Sequence, residues 1–304
     1  MISMLALRLL RLLSALPYPV LRALGNGLGI LLYWLAASRR RIGRTNLRLC
    51  FPHLSEAERR RLLQTHFKLF ARSFFDRFVL WYQPAERIKS LVQLRGVEHF
   101  EAALGRPLIL LAPHFIGLDA GGTRLTIDRR MFSMFANQKN QVFNEAMRAG
   151  RSRFNDAFLL SRLEGLRTAI RLMRDGVPFY FLPDMDLGPR DSIFVPFFGV
   201  PAATVTSVAR LAQMTRAAVV PCVTEMTEDG YVTRFYPAWS NYPGDDLIAA
   251  TARMNRFIEE RALEMPAQYL WTHKRFKTRP PGEPDLYGRT PPAGGILSPE
   301  EVPE

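Results

Sequence analysis

From about residue 90, short apolar runs alternate with stretches of helical composition, and this alternation constrains the fold more than any other feature. The apolar runs are too short for helices and are therefore predicted strands: VQLRGVE, PLILLAP, MFSMFA, VPFYFLP and AAVVPCV. Helices are predicted between or after them, near residues 118–128, 141–153, 163–175, 202–215 and 245–264. The pattern predicts an α/β fold with a largely parallel central sheet flanked by helices, and YVTRFYPAW predicts an antiparallel edge strand.

The amino-terminal segment is apolar and is followed directly by positive charge. Residues 23–38 contain no charged side chain, and the triplet Arg39, Arg40 and Arg41 comes next. A bilayer span needs about 20 apolar residues, so this run is slightly short. We predict that residues 1–38 form a hydrophobic membrane-anchor helix that spans the bilayer or lies in its interface. A cleaved signal peptide and a buried core helix are the alternatives.

Helix capping and composition predict the boundaries of the remaining segments of the chain. Ser55 and Glu58 fit a capping box, which predicts a long helix that ends near Pro84. Residues 278–304 contain seven prolines and four glycines in 27 positions, a composition that predicts a tail without packed structure. The α/β domain is therefore expected to cover residues 39–277.

The chain carries a formal net charge of +13, which indicates a negatively charged partner. Nucleic acid, anionic lipid and an acidic carrier or substrate all fit this charge. No nucleic-acid-binding module is recognisable, so we expect no nucleic-acid partner; a basic binding protein without catalysis is the alternative. Cys50 and Cys222 lie far apart without metal-type spacing, which favours a reducing compartment and no structural disulfide.

The predicted strand PLILLAP ends directly before a histidine. His114 follows Pro113, and Asp119 stands five positions later. On one continuous helix these two side chains would diverge by about 140°. Because Pro113 disfavours a helical residue before it and Gly117 permits a tight helix entry, Asp119 in the first turn is expected to reach back to the imidazole. Such a pair is a general base with its orienting carboxylate, and the alternative is a structural histidine beside a capping aspartate.

Four stretches of the chain carry a family resemblance. HFIGLD resembles the HxxxxD/E signature of the glycerolipid acyltransferase superfamily. Three further stretches, RRRIGRTNLRLCFPHLS at 39–55, FLPDMDLGPRDSIFVPFFGVPAAT at 181–204 and QYLWTHKRFKTRPPGEP at 268–284, resemble its lipid A late acyltransferase branch. The resemblance runs in the family's order from the amino-terminal anchor to about Pro284, and the DxDxGPR block is its most specific part.

The resemblance implies an inner-membrane acyltransferase that works on the cytoplasmic face without a cofactor. It would transfer a fatty acyl chain from acyl carrier protein to a hydroxyl of an anionic glycolipid, a lipid A precursor, among membrane lipids. His114 would be the general base and Asp119 its partner. No GxSxG elbow is present and neither cysteine lies near this pair in sequence, which favours direct attack by the acceptor over an acyl-enzyme.

The same resemblance makes Asp184, Asp186 and Arg190 site residues at the end of the predicted strand VPFYFLP. Arg190 is expected to hold a sugar phosphate or to stabilise the thioester oxyanion; a loop salt bridge is the alternative. The two aspartates are expected to position Arg190 or to bind sugar hydroxyls, and no metal is expected. FVPFFGVPAAT predicts an apolar wall for an acyl chain.

Two points of the sequence leave the substrate open. Many family members carry a Tyr-Arg-Pro stretch where this chain has Phe135, Ala136 and Asn137, so a role of that arginine cannot be carried over to Ala136; Gln138, Lys139 and Asn140 are the alternatives for it. The HxxxxD signature also fits an acyltransferase that acts on a lysophospholipid with acyl-CoA as donor.

Near the carboxyl end, residues 273–277 predict a cationic surface cluster that contacts anionic lipid or a phosphorylated substrate.

Overall fold

The computed structural model describes residues 2–138, 140–161, 165–190 and 192–288. The first four helices of the described chain are α1 (Ile2–Leu13), α2 (Tyr18–Leu35), α3 (Ala37–Cys50) and α4 (Glu56–Tyr82). The capping box of Ser55 and Glu58 begins α4 as predicted. Shorter helices follow: α5 (Ala85–Leu91), α6 (Val97–Glu101), α7 (Leu118–Asp128), α8 (Gln141–Arg151), α9 (Gly165–Arg174) and α10 (Ser207–Thr215), with α11 (Leu247–Glu264) last.

The strands are β1 (Val92–Arg95), β2 (Leu108–Leu111), β3 (Phe132–Phe135), β4 (Phe158–Ser161), β5 (Phe179–Phe181), β6 (Ser192–Phe197), β7 (Val200–Val205), β8 (Ala218–Met226) and β9 (Tyr231–Phe235). Within the described ranges, seven of them form one sheet in the order β1-β9-β8-β2-β5-β3-β4. Every pair in it is parallel except β8 with β9. The predicted α/β fold with a largely parallel, helix-flanked sheet is confirmed.

Three details of the predicted sheet are wrong. β9 is antiparallel to β8 as predicted, but it is not the edge strand, because β1 pairs with its other side. Residues 202–205 belong to β7 and not to a helix; β6 and β7 form a separate two-stranded antiparallel hairpin, and the helix begins only at Ser207. β4 was not predicted, because FLLS lacks the length of the other apolar runs.

Helix α2, which lies in the predicted anchor segment, packs against α4 through one narrow face. Its buried residues Leu21, Gly25, Gly29 and Tyr33 recur every four positions, which places them along one side of the helix. A Cβ atom on Gly25 would lie 2.7 Å from Cα of Arg72, so the two backbones approach as closely as glycine allows. This contact holds α2 against the body of the protein.

The opposite face of α2 is apolar and exposed. It carries Leu24, Ile30, Leu31, Trp34 and Leu35, of which Trp34 is 66% and Leu35 is 70% exposed. Among the described helices none alone has the length and apolarity of a membrane span, whereas the pair α2 and α3, bent by 89°, meets that criterion together. A helix that spans the bilayer alone, one of the two anchor types predicted, is therefore not found among the described helices, and the apolar segment contains the bent pair whose first helix packs on α4.

We expect Gly29→Leu to lower the free energy of unfolding by about 3 kcal/mol or more, because its side chain would collide with the backbone of α4. A Cβ atom at this position would lie 2.7 Å from the carbonyl oxygen of Phe67. Gly27→Leu is the matched control, since no atom lies within 4 Å of its added Cβ. Denaturant titration in detergent measures both variants, and equal stabilities would contradict the close packing of α2 on α4.

The start of the predicted carboxyl-terminal tail is packed against the domain. The Tyr287 hydroxyl hydrogen-bonds the Asn46 side chain and accepts from the backbone N–H of Phe276 at 3.1 Å. Arg279 donates to the carbonyl oxygen of Pro201 at 2.7 Å. The predicted tail is therefore wrong for residues 278–288, and its remainder lies outside the described residues.

Candidate active site

The sheet brings His114 and Asp184 to the same edge. β2 and β5 are adjacent parallel strands, with Leu111 opposite Phe181 at their last paired position. Each strand is followed by a residue, a proline and then the functional residue: Ala-Pro-His114 after β2 and Leu-Pro-Asp184 after β5. Because carboxyl ends of parallel strands meet at one edge, the two functional residues lie opposite each other.

His114 and Asp184 form a close and largely buried pair. Nδ1 of His114 lies 2.8 Å from Oδ1 of Asp184, and the backbone N–H of His114 donates to the same carboxylate at 3.0 and 3.2 Å. Burial would raise the pKa of Asp184, but its electrostatic interaction and hydrogen bonds with His114 outweigh burial and lower the pKa. An ionised carboxylate only accepts, so Nδ1 carries the proton and Nε2 keeps its lone pair. The His114 side chain remains 18% exposed, which leaves the ring open to a substrate.

Asp119 does not orient the imidazole, and this corrects the sequence prediction. Its two carboxylate oxygens pair with Arg77 at 2.9 Å and with Arg151 at 2.5 Å. Among the described residues, no hydrogen bond or ion pair joins Asp119 to His114. The first turn of α7 places this carboxylate beside α4 and α8, whose arginines bind it, while Asp184 takes the position at Nδ1.

The two arginines also set the charge state of Asp119. Burial alone would raise its pKa, but Arg151 and Arg77 lower it to about 2. Because the folded pKa lies below the usual value of 3.8, Asp119 stabilises the fold above that value and loses this effect as the pH falls through about 2.

We therefore expect Asp119→Asn to lower the free energy of unfolding at neutral pH by about 2 kcal/mol, which corresponds to the pKa difference. The difference in free energy of unfolding between the variant and the wild type should shrink as the pH falls from about 4 toward about 2, because the wild-type carboxylate takes up a proton in this range and loses its charge. Denaturant titration over this pH range measures this difference. Asp175→Asn, which replaces an exposed aspartate, is the control. A difference between Asp119→Asn and the wild type that does not change with pH would contradict the assigned ion pairs.

Asp186 has a different role from Asp184 although only one residue separates them. Its carboxylate accepts from the backbone N–H of Thr278 at 2.6 Å and from its hydroxyl at 2.8 Å, and from the backbone N–H of Gly188 at 3.0 Å. The backbone N–H of Asp186 donates to Nε2 of His273 at 3.1 Å. Burial and the nearby His114 lower the pKa of His273 to about 4, so it is a neutral acceptor. Asp186 therefore holds the loop after β5 against the segment 273–278.

Arg190 and Arg275, both expected to be available to a ligand, differ in exposure. Arg190 is exposed, and no hydrogen bond or ion pair engages its guanidinium within the described ranges, so the salt-bridge alternative is not seen. Arg275 is only 2% exposed; it donates to the carbonyl oxygen of Ala203 at 2.9 Å and to the hydroxyl of Thr204 at 2.8 Å. The predicted cationic surface cluster is therefore wrong for Arg275, which is structural.

A narrow cavity of about 80 Å³ lies between α7 and the sheet; we call it the sheet-side cavity. Asp119 and Arg151 line it. Most of its other lining side chains are apolar and come from α7, β3, β4 and the residues next to β3 and β5: Leu118, Phe132, Met134, Phe158, Leu159, Met131 and Leu182. The hairpin β6–β7 does not line it, although FVPFFGVPAAT was expected to form an acyl-chain wall. The hairpin instead packs Phe197 against Tyr269 and Phe276 in the core.

Sequence comparison assigns the chain to a family. The profile of the bacterial lipid A biosynthesis acyltransferases matches residues 1–278. The chain belongs to the lipid A biosynthesis acyltransferase family. It is 34% identical to the lipid A biosynthesis lauroyltransferase of Escherichia coli over 94% of each chain. It is 34% identical to the lipid A biosynthesis myristoyltransferase of the same organism, over 89% of this chain and 84% of the relative.

A solved structure, the 1-acyl-sn-glycerophosphate (LPA) acyltransferase PlsC from Thermotoga maritima, is 14% identical and covers 82% of this chain and 99% of its own, with a TM-score of 0.40. Family membership identifies the chain as an acyltransferase of lipid A biosynthesis. The alternative of a basic binding protein without catalysis is therefore wrong. The resemblance stated from the four sequence stretches is confirmed at the level of the family.

Proposed function

We propose that this lipid A acyltransferase moves a fatty acyl chain from acyl carrier protein to a hydroxyl of a lipid A precursor, with His114 as general base. The observation that carries the proposal is the His114–Asp184 pair at the open edge of the sheet. Asp184 fixes the tautomer in which Nε2 has a lone pair, and it stabilises the imidazolium that forms during the reaction.

The reaction proceeds by direct transfer. The acceptor hydroxyl oxygen attacks the thioester carbonyl carbon, and its proton moves to Nε2 of His114. The tetrahedral intermediate then expels the carrier's thiolate as the carbon–sulfur bond breaks, and the thiolate takes the proton from the imidazolium. The products are an ester and a free thiol, and His114 returns to its neutral form. The two cysteines are buried, and burial raises the pKa of each thiol, so neither suits a role as nucleophile.

We assign the donor acyl chain to the sheet-side cavity. Its walls are mainly apolar, and Asp119 and Arg151, which form an ion pair, are the charged residues of its lining. In this assignment Asp119 holds Arg151 in the wall of the cavity and does not act on the imidazole. The carrier is acidic and water-soluble, and Arg148, which is exposed on α8, supplies charge of the opposite sign.

The acceptor is proposed to lie at the membrane surface. The exposed apolar face of α2 suits insertion into the interface of the inner membrane on its cytoplasmic side, and the arginines at the start of α3 suit anionic headgroups. Arg190 has no internal partner among the described residues and presents its guanidinium to solvent, which suits a phosphate of the glycolipid. Asp184 and Asp186 are engaged by His114 and Thr278, so we assign them to positioning and not to sugar hydroxyls.

The test is acyl transfer by the purified protein in detergent, with donor and acceptor varied independently. We expect acyl carrier protein to be preferred over acyl-CoA as donor and a lipid A precursor over a lysophospholipid as acceptor. Mass spectrometry of the lipid product measures the gain of one acyl chain. Preferential acylation of the lysophospholipid would overturn the assigned acceptor and support the alternative substrate.

A further inference from the structure

A second apolar cavity, of about 410 Å³, lies where α2 bends into α3; we call it the elbow cavity. Leu32, Ala36 and Arg39 line it from the elbow, Phe67 and Phe70 from α4, and Met185 from the loop after β5. It shares no lining residue with the sheet-side cavity. We propose that the elbow cavity binds one acyl chain of the glycolipid acceptor, an inference that rests on the proposed function.

The elbow cavity adjoins the catalytic pair. Met185, in its wall, directly follows Asp184 in the chain, and Leu270, also in its wall, donates its backbone N–H to the carbonyl oxygen of His114 at 3.0 Å. His273, a third wall residue, accepts from the backbone N–H of Asp186. A chain held in this cavity therefore lies beside the backbone segments that carry His114 and Asp184.

The interior of the elbow cavity suits an alkyl chain. His66 in its wall is fully buried; its Nδ1–H donates to the carbonyl oxygen of Ala267 at 3.0 Å, and burial lowers its pKa to about 4. His273 is also neutral for the reason given above, so neither wall histidine brings a charge near neutral pH. Arg39 is exposed and lines the same cavity, where its guanidinium suits a phosphorylated headgroup attached to the bound chain.

The position of the elbow cavity favours the acceptor over the donor. Leu32 and Ala36 line the cavity, while their neighbours Leu31, Trp34 and Leu35 are exposed on the apolar surface of α2. A chain of a membrane glycolipid enters such a cavity from the apolar surface without crossing water. The donor chain arrives on a water-soluble carrier, and the sheet-side cavity, which α2 does not line, is assigned to it.

Adjacent alanines at the elbow provide a matched pair of variants. Ala36→Phe fills the cavity, whereas Ala37→Phe adds the same side chain at an exposed position that does not line it. We expect Ala36→Phe to raise the KM for a lipid A precursor about tenfold, because the room for roughly two methylene groups is lost. The KM for acyl carrier protein and the preferred donor length should not change. Shortening the acyl chains of the precursor should weaken its binding to the wild type and to Ala37→Phe but should not weaken its binding to Ala36→Phe.

A measurement of precursor binding in the absence of turnover tests the elbow cavity independently of the proposed function. The affinity of each protein for the lipid A precursor in detergent micelles is measured without donor, and thermal unfolding shows whether each variant is folded. Weaker binding by Ala36→Phe alone supports the proposal, even if the wild type fails to acylate the precursor. Equal binding by folded Ala36→Phe and Ala37→Phe overturns it. A raised KM for the donor, or a shifted donor length preference, also overturns it, because the cavity would then hold the donor chain.

Discussion

Replacing Asp184 with asparagine is expected to lower kcat for acyl transfer by about 10³-fold to 10⁴-fold, as loss of the orienting carboxylate does in comparable dyads. The asparagine amide nitrogen can donate to Nδ1 of His114, which favours the tautomer with the proton on Nε2, where the lone pair is needed. The neutral amide also no longer stabilises the imidazolium. The side chain is nearly isosteric, so its contact with the backbone N–H of His114 can persist and the fold should survive.

The effect of Asp184→Asn should appear in kcat and leave the KM values for donor and acceptor nearly unchanged, because Asp184 is assigned to His114 and not to a substrate. Asp175→Asn makes the same chemical change at an exposed position and should retain wild-type kinetics. A folded Asp184→Asn with near-normal kcat would show that the carboxylate at Nδ1 is not required. An increase confined to the acceptor KM would instead restore the sugar-binding role first predicted for this residue.

Replacing His114 with alanine is expected to lower acyl transfer by at least about 10³-fold, within the range that a positioned general base contributes. The backbone N–H of residue 114 still donates to Asp184, so the edge of the sheet should keep its structure. Thermal unfolding and precursor binding should therefore stay close to those of the wild type. Steady-state kinetics with saturating donor and acceptor measure the loss. His53→Ala, at an exposed histidine outside the site, is the control.

The sequence contains the signal for the His114–Asp184 pair, although the loop-to-helix spacing of His114 and Asp119 favoured the pairing of those two residues. Both strands end in the same way, with a proline two residues after the last paired position and the functional residue next. In adjacent parallel strands that are in register, this spacing predicts contact. Strand order was the missing fact, because β2 and β5 are separated in the chain by β3 and β4 and become neighbours only in the sheet.

The partners of Asp119 were not predictable from local spacing. Arg77 lies in α4 and Arg151 in α8, and they meet Asp119 only when both helices pack beside α7. The fully buried wall residue His66 and the structural Arg275 are similar cases: each lies in a segment of ordinary composition, and its burial depends on tertiary packing. The periodic elements were predicted better, because helix α7 and the capping box of α4 depend on neighbours in the sequence.

The most direct test follows an isotopically labelled acyl chain from acyl carrier protein in the presence of a lipid A precursor, with mass spectrometry of lipid and protein at successive times. We expect the wild type to give labelled lipid without the acyltransferase itself carrying the label at any time, and His114→Ala to give neither product at a comparable rate. A labelled acyltransferase that forms before the lipid product, lipid that gains no label with the wild type, or near-normal labelling of lipid with His114→Ala would contradict direct transfer with His114 as the base.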